Sequence, residues 1–348
     1  MPKETSWIRE GIRLFAKQSK KALKNALGIR RVPTIVAYRG FGNKDKICIQ
    51  GHVIEDKRIK PAHAKQNALT NSKALLKRFL ASPFPYVRLR VQVQNISLEL
   101  ETDSKGFFEA ILPNPDLPAG WHEASVWLTE EEEFSTPIRT QFLIPSTKSI
   151  GIISDIDDTF LISHSTNKWR KISLLAFNNA ATRKPFDGVA SLYQAFCKTD
   201  DSSEIRPFFC VSSSEWNLYD FLTDFCQRCE IPQSVLLLQD LKTHFSDFRN
   251  SGGGNHEHKL HKIEHIFSTY PDTRFVLLGD SGQKDPELYY KIAKKYPHQI
   301  AAIYIRYVKH KPLIRNYIHE LRPLGIEMRL FKKSEDVLKD ARKKGILV

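Results

Sequence analysis

Alternating apolar and polar residues in the first 147 positions predict a series of short β-strands. The segments with this pattern are 34–38, 47–54, 87–93, 98–101, 107–111, 124–128 and 138–144. Turn residues separate several of them, notably the Gly-Phe-Gly sequence at 40–42 and the Pro-Asn-Pro sequence at 113–115. Short strands with turns between them favour an antiparallel sandwich. We therefore predict a β-rich, sandwich-like N-terminal domain over residues 32–147, interrupted by a helix near 67–80.

The pattern changes after residue 148, where apolar strand-like runs alternate with amphipathic helical segments. The predicted strands are 150–154, 208–211, 275–278 and 300–305, and the predicted helices are 189–197, 216–229, 260–268 and 286–295. Such alternation is typical of parallel strands joined by crossover helices. Residues 148–348 are therefore predicted to form an α/β domain with a Rossmann-like parallel sheet, and the Pro-Ser-Thr sequence at 145–147 marks the boundary.

Composition fits a soluble protein of two domains. The chain has 348 residues, of which 41% are hydrophobic, and its five cysteines are scattered. No apolar run reaches the roughly 20 residues of a membrane span, and the N-terminus lacks the apolar core of a signal peptide. These features predict a cytoplasmic protein without a disulfide framework.

Positive charge is concentrated in the first 31 residues. The net charge is +14, and residues 1–31 contain nine Lys or Arg and two Glu, which is half of that excess. On a helical wheel Ile8, Ile12, Phe15 and Leu23 share one side, and lysines occupy the other. This basic amphipathic helix either lies on an anionic membrane surface or packs on its own domain with solvated lysines. We expect no nucleic-acid partner, and the oligomeric state is left open.

Three of the predicted strands end in polar residues that suit phosphoryl transfer. Asp155 and Asp157 follow the first strand, Ser212 ends the second, and the sequence GDSGQKD, with Asp280 and Asp285, ends the third. Parallel strands bring their carboxyl ends to one edge of the sheet, where ligands bind. Mg²⁺ prefers oxygen ligands such as carboxylates. One aspartate can attack phosphorus while a second protonates the leaving oxygen, and a hydroxyl and a lysine hold the phosphoryl oxygens.

These motifs resemble those of the haloacid-dehalogenase-like phosphatases, whose first motif is Asp-x-Asp-x-Thr. More narrowly, the sequences SDIDDT, VSSSEWNLYDFL, HKLHKIEHIF and FVLLGDSGQKDPELY resemble the catalytic domain of the actin-patch phosphatidate phosphatase family of fungi and its bacterial relatives. The resemblance covers about 148–310 and extends to the leading β-domain. One departure is Glu215, which stands where the family pattern Ser-x-Ser-Pro-Trp-Asn has Pro.

The resemblance implies three catalytic residues. Asp155 is the expected nucleophile, Asp157 the general acid and base, and Lys259 the cation that holds the phosphoryl charge. Lys262 and Lys284 are alternatives for the lysine. We favour Lys259 because it opens the helix before the third strand, from which a side chain can reach the carboxyl edge of the sheet.

The resemblance also implies a substrate site and a magnesium site. The expected phosphate-binding residues are Thr159, Ser212 and Ser213. The expected Mg²⁺ ligands are Asp155, Asp157, Asp280 and Asp285. Asp285 has an alternative role, since an Asp before Pro is a good helix cap, and Ser214 is expected to cap the helix that begins at Trp216.

A histidine-rich segment lies between the second and third of these strands. His256, His258, His261 and His265 follow three glycines at 252–254. The segment has no cysteine partner, so we favour solvated histidines over a zinc site.

The predicted function is a Mg²⁺-dependent phosphatase that hydrolyses phosphatidate to diacylglycerol and phosphate through an aspartyl-phosphate intermediate. Two alternatives stay open, which are the same chemistry on a soluble or protein phosphomonoester, and a non-enzymatic membrane adaptor. The fold alone does not choose among substrates. The expected location is the cytoplasm, peripheral on the inner face of a membrane.

Overall fold

The computed structural model describes seven segments of the chain, 32–56, 82–129, 136–146, 150–156, 188–199, 204–239 and 257–347. The predicted N-terminal amphipathic helix and the predicted helix near 67–80 lie outside these segments. So do Asp157, Thr159, His256 and the glycines at 252–254. Among the helices that are described, none is long and apolar enough to cross a membrane.

The first eight strands of the described segments belong to one N-terminal sheet. They are β1 Val32–Ala37, β2 Gly40–Gly42, β3 Lys46–Asp56, β4 Arg88–Val93, β5 Ile96–Glu101, β6 Phe107–Pro113, β7 Gly120–Leu128 and β8 Ile138–Ile144. The seven predicted strands are confirmed, although most bounds differ by one to four residues. The prediction of a turn at 40–42 is wrong, because these residues form the short strand β2.

The N-terminal sheet curls around one apolar core. Its strands follow the order β1-β3-β2-β8-β7-β4-β5, and β6 pairs with β3. Inward and outward residues alternate, as in β6, where Phe108, Ala110 and Leu112 are buried and the residues between them are exposed. Because β5 also contacts β6, distant parts of the sheet close over the same core. The β-rich character predicted for this region is confirmed.

Six more strands and six α-helices follow in the described part of the chain. The strands are β9 Ile150–Asp155, β10 Phe208–Glu215, β11 Val235–Gln239, β12 Arg274–Asp280, β13 Ile300–Arg306 and β14 Met328–Phe331. The helices are α1 Val189–Cys197, α2 Tyr219–Arg228, α3 Glu257–Thr269, α4 Asp285–Lys295, α5 Leu313–Leu321 and α6 Ser334–Lys343. The four predicted strands and four predicted helices are confirmed, with a 3₁₀ turn at Trp216–Leu218 before α2. Sequence patterns did not identify β11, β14, α5 or α6.

The six later strands form a parallel sheet in the order β11-β10-β9-β12-β13-β14. If the strands of this sheet are numbered 1 to 6 along the chain, their order across the sheet is 3-2-1-4-5-6. Strands 1 to 3 are added outward on one side and strands 4 to 6 on the other, so the order reverses between β9 and β12. The central strand β9 is buried along nearly all its length, because packed layers cover both faces of such a sheet. In open α/β sheets, ligands bind at the carboxyl ends of the strands beside a reversal of this kind. The predicted α/β class is therefore confirmed.

The two sheets pack directly against each other. Phe41 of β2 is 2% exposed and lies edge-on to Phe209 of β10, with ring centroids 5.6 Å apart. The hydroxyl of Tyr270 donates a hydrogen bond to the carbonyl of Gly42 at 2.9 Å. Burial of Phe41 at this junction explains why residues 40–42 form a strand and not an exposed turn.

Candidate functional site

Three parallel strands bring the candidate site residues to one edge of the second sheet. Asp155 is the last residue of the central strand β9. In β10, Val211 pairs with Asp155, so Ser212 comes just beyond it. In β12 the pairing with β9 ends at Leu278, which places Asp280 at the same edge. The strand ends that carry these predicted site residues therefore meet.

Asp155, Asp280 and Asp285 form a buried group that we call the carboxylate cluster. Each of the three residues is at most 1% exposed. One oxygen atom from each lies within 4.8 Å of the others. Negative charges this close together in a buried site repel one another unless cations balance them. Positive charge nearby therefore stabilises the ionised form of the cluster.

Lys259 supplies one positive charge to the carboxylate cluster. Its Nζ lies 2.9 Å from Oδ1 of Asp155 and 3.4 Å from Oδ1 of Asp285. The whole residue is 1% exposed. Lys262, one turn later in α3, donates instead to the carbonyl of Leu238. Of these two lysines, the structure brings Lys259 to the acids.

The turn between β12 and α4 explains the spacing of the acids in GDSGQKD. Oδ1 of Asp280 accepts hydrogen bonds from the backbone N–H groups of Gly282 and Gln283, at 2.6 and 3.1 Å. Oδ2 of Asp285 accepts one from the N–H of Asp280 at 3.2 Å. The chain is thus folded around its own carboxylates, which fixes them close to Asp155.

Two glycines leave room for these contacts. A Cβ at Gly279 would lie 2.7 Å from Cβ of Asp285 and 2.8 Å from its Oδ2. A Cβ at Gly282 would lie 2.8 Å from Oδ1 of Asp280. Separations this short force a neighbour to move, so a side chain at either glycine would displace one of the acids.

Ser212 and Ser213 lie beside the carboxylate cluster in β10. Ser212 is fully buried, and Ser213 is partly exposed. Oγ of Ser212 accepts a hydrogen bond from the backbone N–H of Ser214 at 2.8 Å. This bond lies just beyond the pair formed by Val211 and Asp155, where the register between β10 and β11 is interrupted. Both serines predicted to bind phosphate therefore lie at the same edge of the sheet as Asp155.

Neither Asp285 nor Ser214 occupies the cap position of its helix. Helix α4 begins at Asp285 itself, and the residue before it, Lys284, makes no side-chain cap hydrogen bond. The carboxylate of Asp285 contacts Lys259 instead, so the cap prediction for Asp285 is wrong. Before the Trp216 turn, Glu215 occupies the cap position that was expected for Ser214.

Sequence reasoning missed Lys311, which lies at the rim of the site. Its Nζ donates a hydrogen bond to the carbonyl of Gln283, in the turn that holds the acids. Burial lowers the pKa of Lys311, and the charges of Asp280 and Asp285 oppose that shift. Its position soon after the apolar strand β13 is the signal that could have identified it.

Tyr289 closes the apolar side of the cluster without adding negative charge. Its hydroxyl donates to the carbonyl of Leu278 at 2.9 Å. Burial, followed by the charges of Asp285 and Asp155, raises the pKa of Tyr289 well above its usual value. The phenol therefore stays a neutral hydrogen-bond donor.

The described histidines of α3 contact different partners. His261 is exposed and lies near Glu264, whereas His265 packs edge-on against Phe41, with ring centroids 5.4 Å apart. Nε2 of His258 lies 3.4 Å from the carbonyl oxygen of Ser212. Within the described segments, the carboxylate cluster is the one group of three or more His, Cys, Asp or Glu side chains close enough to share a metal ion.

The chemistry of the carboxylate cluster fits Mg²⁺. This ion prefers oxygen ligands and is usually held by one or two carboxylates together with water and substrate phosphate. When ionised, the cluster sets three negative charges against the single positive charge of Lys259. A divalent cation would balance the remaining charge.

Comparisons with known proteins match the part of the chain that contains the carboxylate cluster. Residues 150–307 match the family model described as phosphatidate phosphatase APP1, catalytic domain. Phosphatidate phosphatase APP1 from Saccharomyces cerevisiae is 32% identical over 157 residues, which are 45% of this chain and 26% of that protein. An uncharacterized protein from Schizosaccharomyces pombe is 26% identical over 182 residues, which are 51% of this chain and 28% of that protein. The chain thus spans about a quarter of the length of these two relatives.

The solved structure of a carbohydrate acetylesterase from Xanthomonas citri can be aligned with this protein over 86% of this chain and 69% of the esterase chain. The sequence identity is 9% and the TM-score is 0.32. A TM-score this low does not indicate a common fold.

Proposed function

We propose that this protein is a Mg²⁺-dependent phosphatidate phosphatase, because residues 150–307 match the family model of the phosphatidate phosphatase APP1 catalytic domain. It would convert phosphatidate to diacylglycerol and phosphate. The observation that carries the proposal is the buried carboxylate cluster within the matched region, with Lys259 at 2.9 Å from Asp155.

The proposal includes the fold and domain organisation. We assign residues 148–348 to a Rossmann-like, haloacid-dehalogenase-like domain. The strand order 3-2-1-4-5-6 supports this assignment, as does the position of the carboxylate cluster beside β9 and β12, where the strand order reverses. Residues 32–147 would form a sandwich-like domain, which the closure of the N-terminal sheet over one core supports.

Asp155 is the nucleophile in this mechanism. One of its oxygens forms a bond to phosphorus while the bond from phosphorus to the glycerol oxygen breaks, and Asp157 gives its proton to that oxygen. Asp157 then takes a proton from the water that attacks the aspartyl phosphate. Phosphate leaves, and the Asp155 carboxylate is regenerated.

Other residues hold the charges that develop during these steps. Lys259 fixes the direction of the Asp155 carboxylate and then faces the phosphoryl oxygens. Thr159, Ser212 and Ser213 would donate hydrogen bonds to the same oxygens. The cluster and Asp157 would hold Mg²⁺, which supplies positive charge to the phosphate when bound.

The two alternatives differ in how well the site supports them. A membrane adaptor has no use for three buried acids, which are costly to bury without a partner charge. The same chemistry on a soluble or protein phosphomonoester remains compatible with every contact described above. We propose phosphatidate because of the family, together with a peripheral location on the inner face of a membrane.

Phosphate release from phosphatidate in detergent micelles, compared with release from a soluble phosphomonoester, tests the proposed function. We expect phosphatidate to be preferred in kcat/KM by about tenfold or more, since binding energy from the acyl chains can lower the barrier. A preference for the soluble ester would support the first alternative. Failure to release phosphate from either substrate would support the adaptor.

Removing divalent cations is expected to abolish activity and lower the unfolding temperature. Mg²⁺ should restore both, because an ion that binds only the folded state at a hundred times its Kd stabilises that state by about 2.7 kcal/mol. Excess Ca²⁺ should inhibit, since it takes more and longer oxygen contacts and can occupy both oxygens of Asp155. Phosphate release and thermal unfolding in chelator, Mg²⁺ and Ca²⁺ measure these effects, and full activity in chelator would contradict them.

The variant Asp157→Asn is expected to lose activity in a way that depends on the leaving group. A phenolate leaves without protonation, so phosphoenzyme formation from an aryl phosphate should persist, whereas an alkyl phosphate should react far more slowly. Burst and steady-state kinetics on the two ester types measure the difference. Equal losses on both would remove Asp157 from the acid role.

A further inference from the structure

An exposed apolar and basic surface lies at the same edge of the parallel sheet as the carboxylate cluster. Val308 is 52% exposed and Leu313 is 59% exposed, which makes them the two most exposed large apolar residues of the described segments. Tyr307, beside them, is 38% exposed. We define the rim surface as Tyr307, Val308, Lys309, Leu313, Lys332 and Lys333.

Cations surround the apolar side chains of the rim surface. Lys309, Lys332 and Lys333 are exposed, and Nζ of Lys332 lies 5.2 Å from the ring centroid of Tyr307. The chain from 306 to 313 contains no acidic residue, and the nearest acids after β14 are in the first turn of α6. The rim surface therefore carries net positive charge.

The loop that exposes Val308 is held by a buried hydroxyl. Oγ of Ser281 accepts hydrogen bonds from the backbone N–H groups of Val308 and Lys309, at 2.8 and 2.9 Å. It also donates to the carbonyl of Lys309 at 2.8 Å. Because Ser281 is fully buried and follows Asp280 directly, the same turn fixes the rim surface and an acid of the carboxylate cluster.

One residue, Gly282, lies close to both the rim surface and the carboxylate cluster. A Cβ at Gly282 would lie 3.4 Å from Cγ1 of Val308 and 2.8 Å from Oδ1 of Asp280. Gly282 therefore lies next to both Val308 and the carboxylate of Asp280, which places the rim surface close to the carboxylate cluster.

We propose that the rim surface docks on a bilayer that contains anionic lipid and presents the carboxylate cluster to the lipid headgroups. Exposed apolar side chains enter the boundary between headgroups and acyl chains, while lysines pair with lipid phosphates. A stable protein interface uses about 20–30 residues on each side, far more than this patch offers. The choice of a lipid surface rests on the proposed function, because phosphatidate resides in the bilayer.

Cosedimentation of the full chain with phosphatidylcholine vesicles that contain phosphatidylserine tests the proposal. These vesicles carry no phosphatidate, so binding is measured without turnover. The double variant Val308→Gln/Leu313→Gln should bind about tenfold more weakly than wild type, from the loss of apolar insertion. Wild-type binding should weaken as salt rises, because the lysine contribution is screened.

Leu324→Gln is the matched control. Leu324 is 44% exposed, but α5 carries the chain from the rim surface to the opposite edge of the sheet, where β14 begins. This variant should bind as wild type does. All proteins compared contain residues 1–31, so that basic segment contributes equally, and thermal unfolding checks that each variant is folded.

The outcomes separate the docking proposal from the proposed function. Selective loss of vesicle binding in the double variant, with phosphate release from a soluble ester retained, supports docking. Absence of wild-type binding, unchanged binding of the double variant, or an equal loss in Leu324→Gln would overturn it. If no ester is hydrolysed and the double variant still loses binding, the proposed function fails while the docking surface stands.

Discussion

Replacing Asp155 by Asn is expected to slow phosphate release by about a thousandfold or more, because the amide cannot attack phosphorus. The carboxamide has nearly the same shape as the carboxylate. It also leaves Lys259 with a second carboxylate, that of Asp285 at 3.4 Å. The unfolding temperature should therefore stay near that of wild type. Steady-state phosphate release and thermal unfolding of the purified variant measure both effects.

A control for this variant is Asp272→Asn, which changes an exposed aspartate in the turn before β12. It makes the same chemical change outside the site, so its activity should match wild type. A well-folded Asp155→Asn protein that kept more than a small fraction of wild-type activity would remove Asp155 from the nucleophile role.

Replacing Lys259 by Met should reduce both stability and activity. Met is similar in length but has no charge, so the substitution leaves three buried carboxylates without their ammonium group. Breaking a buried ion pair by removing one partner costs about 3–5 kcal/mol, and loss of a charge that stabilises the transition state costs about a hundredfold or more in rate. Mg²⁺ should recover part of the lost stability, because it supplies the missing positive charge.

Lys262→Met is the matched control for Lys259→Met. Both lysines lie in α3, and Lys262 donates to the carbonyl of Leu238 and not to the acids. Urea denaturation in chelator and in Mg²⁺, together with phosphate release, should show a large effect at Lys259 and a small one at Lys262. The reverse order would assign the phosphate-clamping role to Lys262.

These two lysines illustrate what the sequence could and could not predict about the site. The acids were identifiable because each follows an apolar strand, and β9 is buried on both faces and so reads as a continuous apolar run. Lys259 and Lys262 are three residues apart and share one face of α3, so helical periodicity cannot separate them. The docking of α3 on the parallel sheet decides which side chain reaches Asp155.

Tertiary packing also explains the elements that the sequence did not reveal. Strand β14 has four residues and lies at the edge of the sheet, which is too short for a clear pattern. Strand β11 is an apolar run, Val-Leu-Leu-Leu, that periodicity cannot distinguish from a buried helical segment. Residues 40–42 look like a turn, but burial of Phe41 between the sheets makes them a strand.

Trapping the covalent intermediate is the most direct test of Asp155 as the nucleophile. The wild-type protein would be quenched in acid during turnover of phosphatidate with a labelled phosphate group and then digested and mapped. We expect label on the peptide that contains Asp155, released by hydroxylamine as expected for an acyl phosphate, and absent from Asp155→Asn. Turnover of phosphatidate with the label on a different residue, or with no label on the protein while product accumulates in a burst, would exclude Asp155 as the nucleophile.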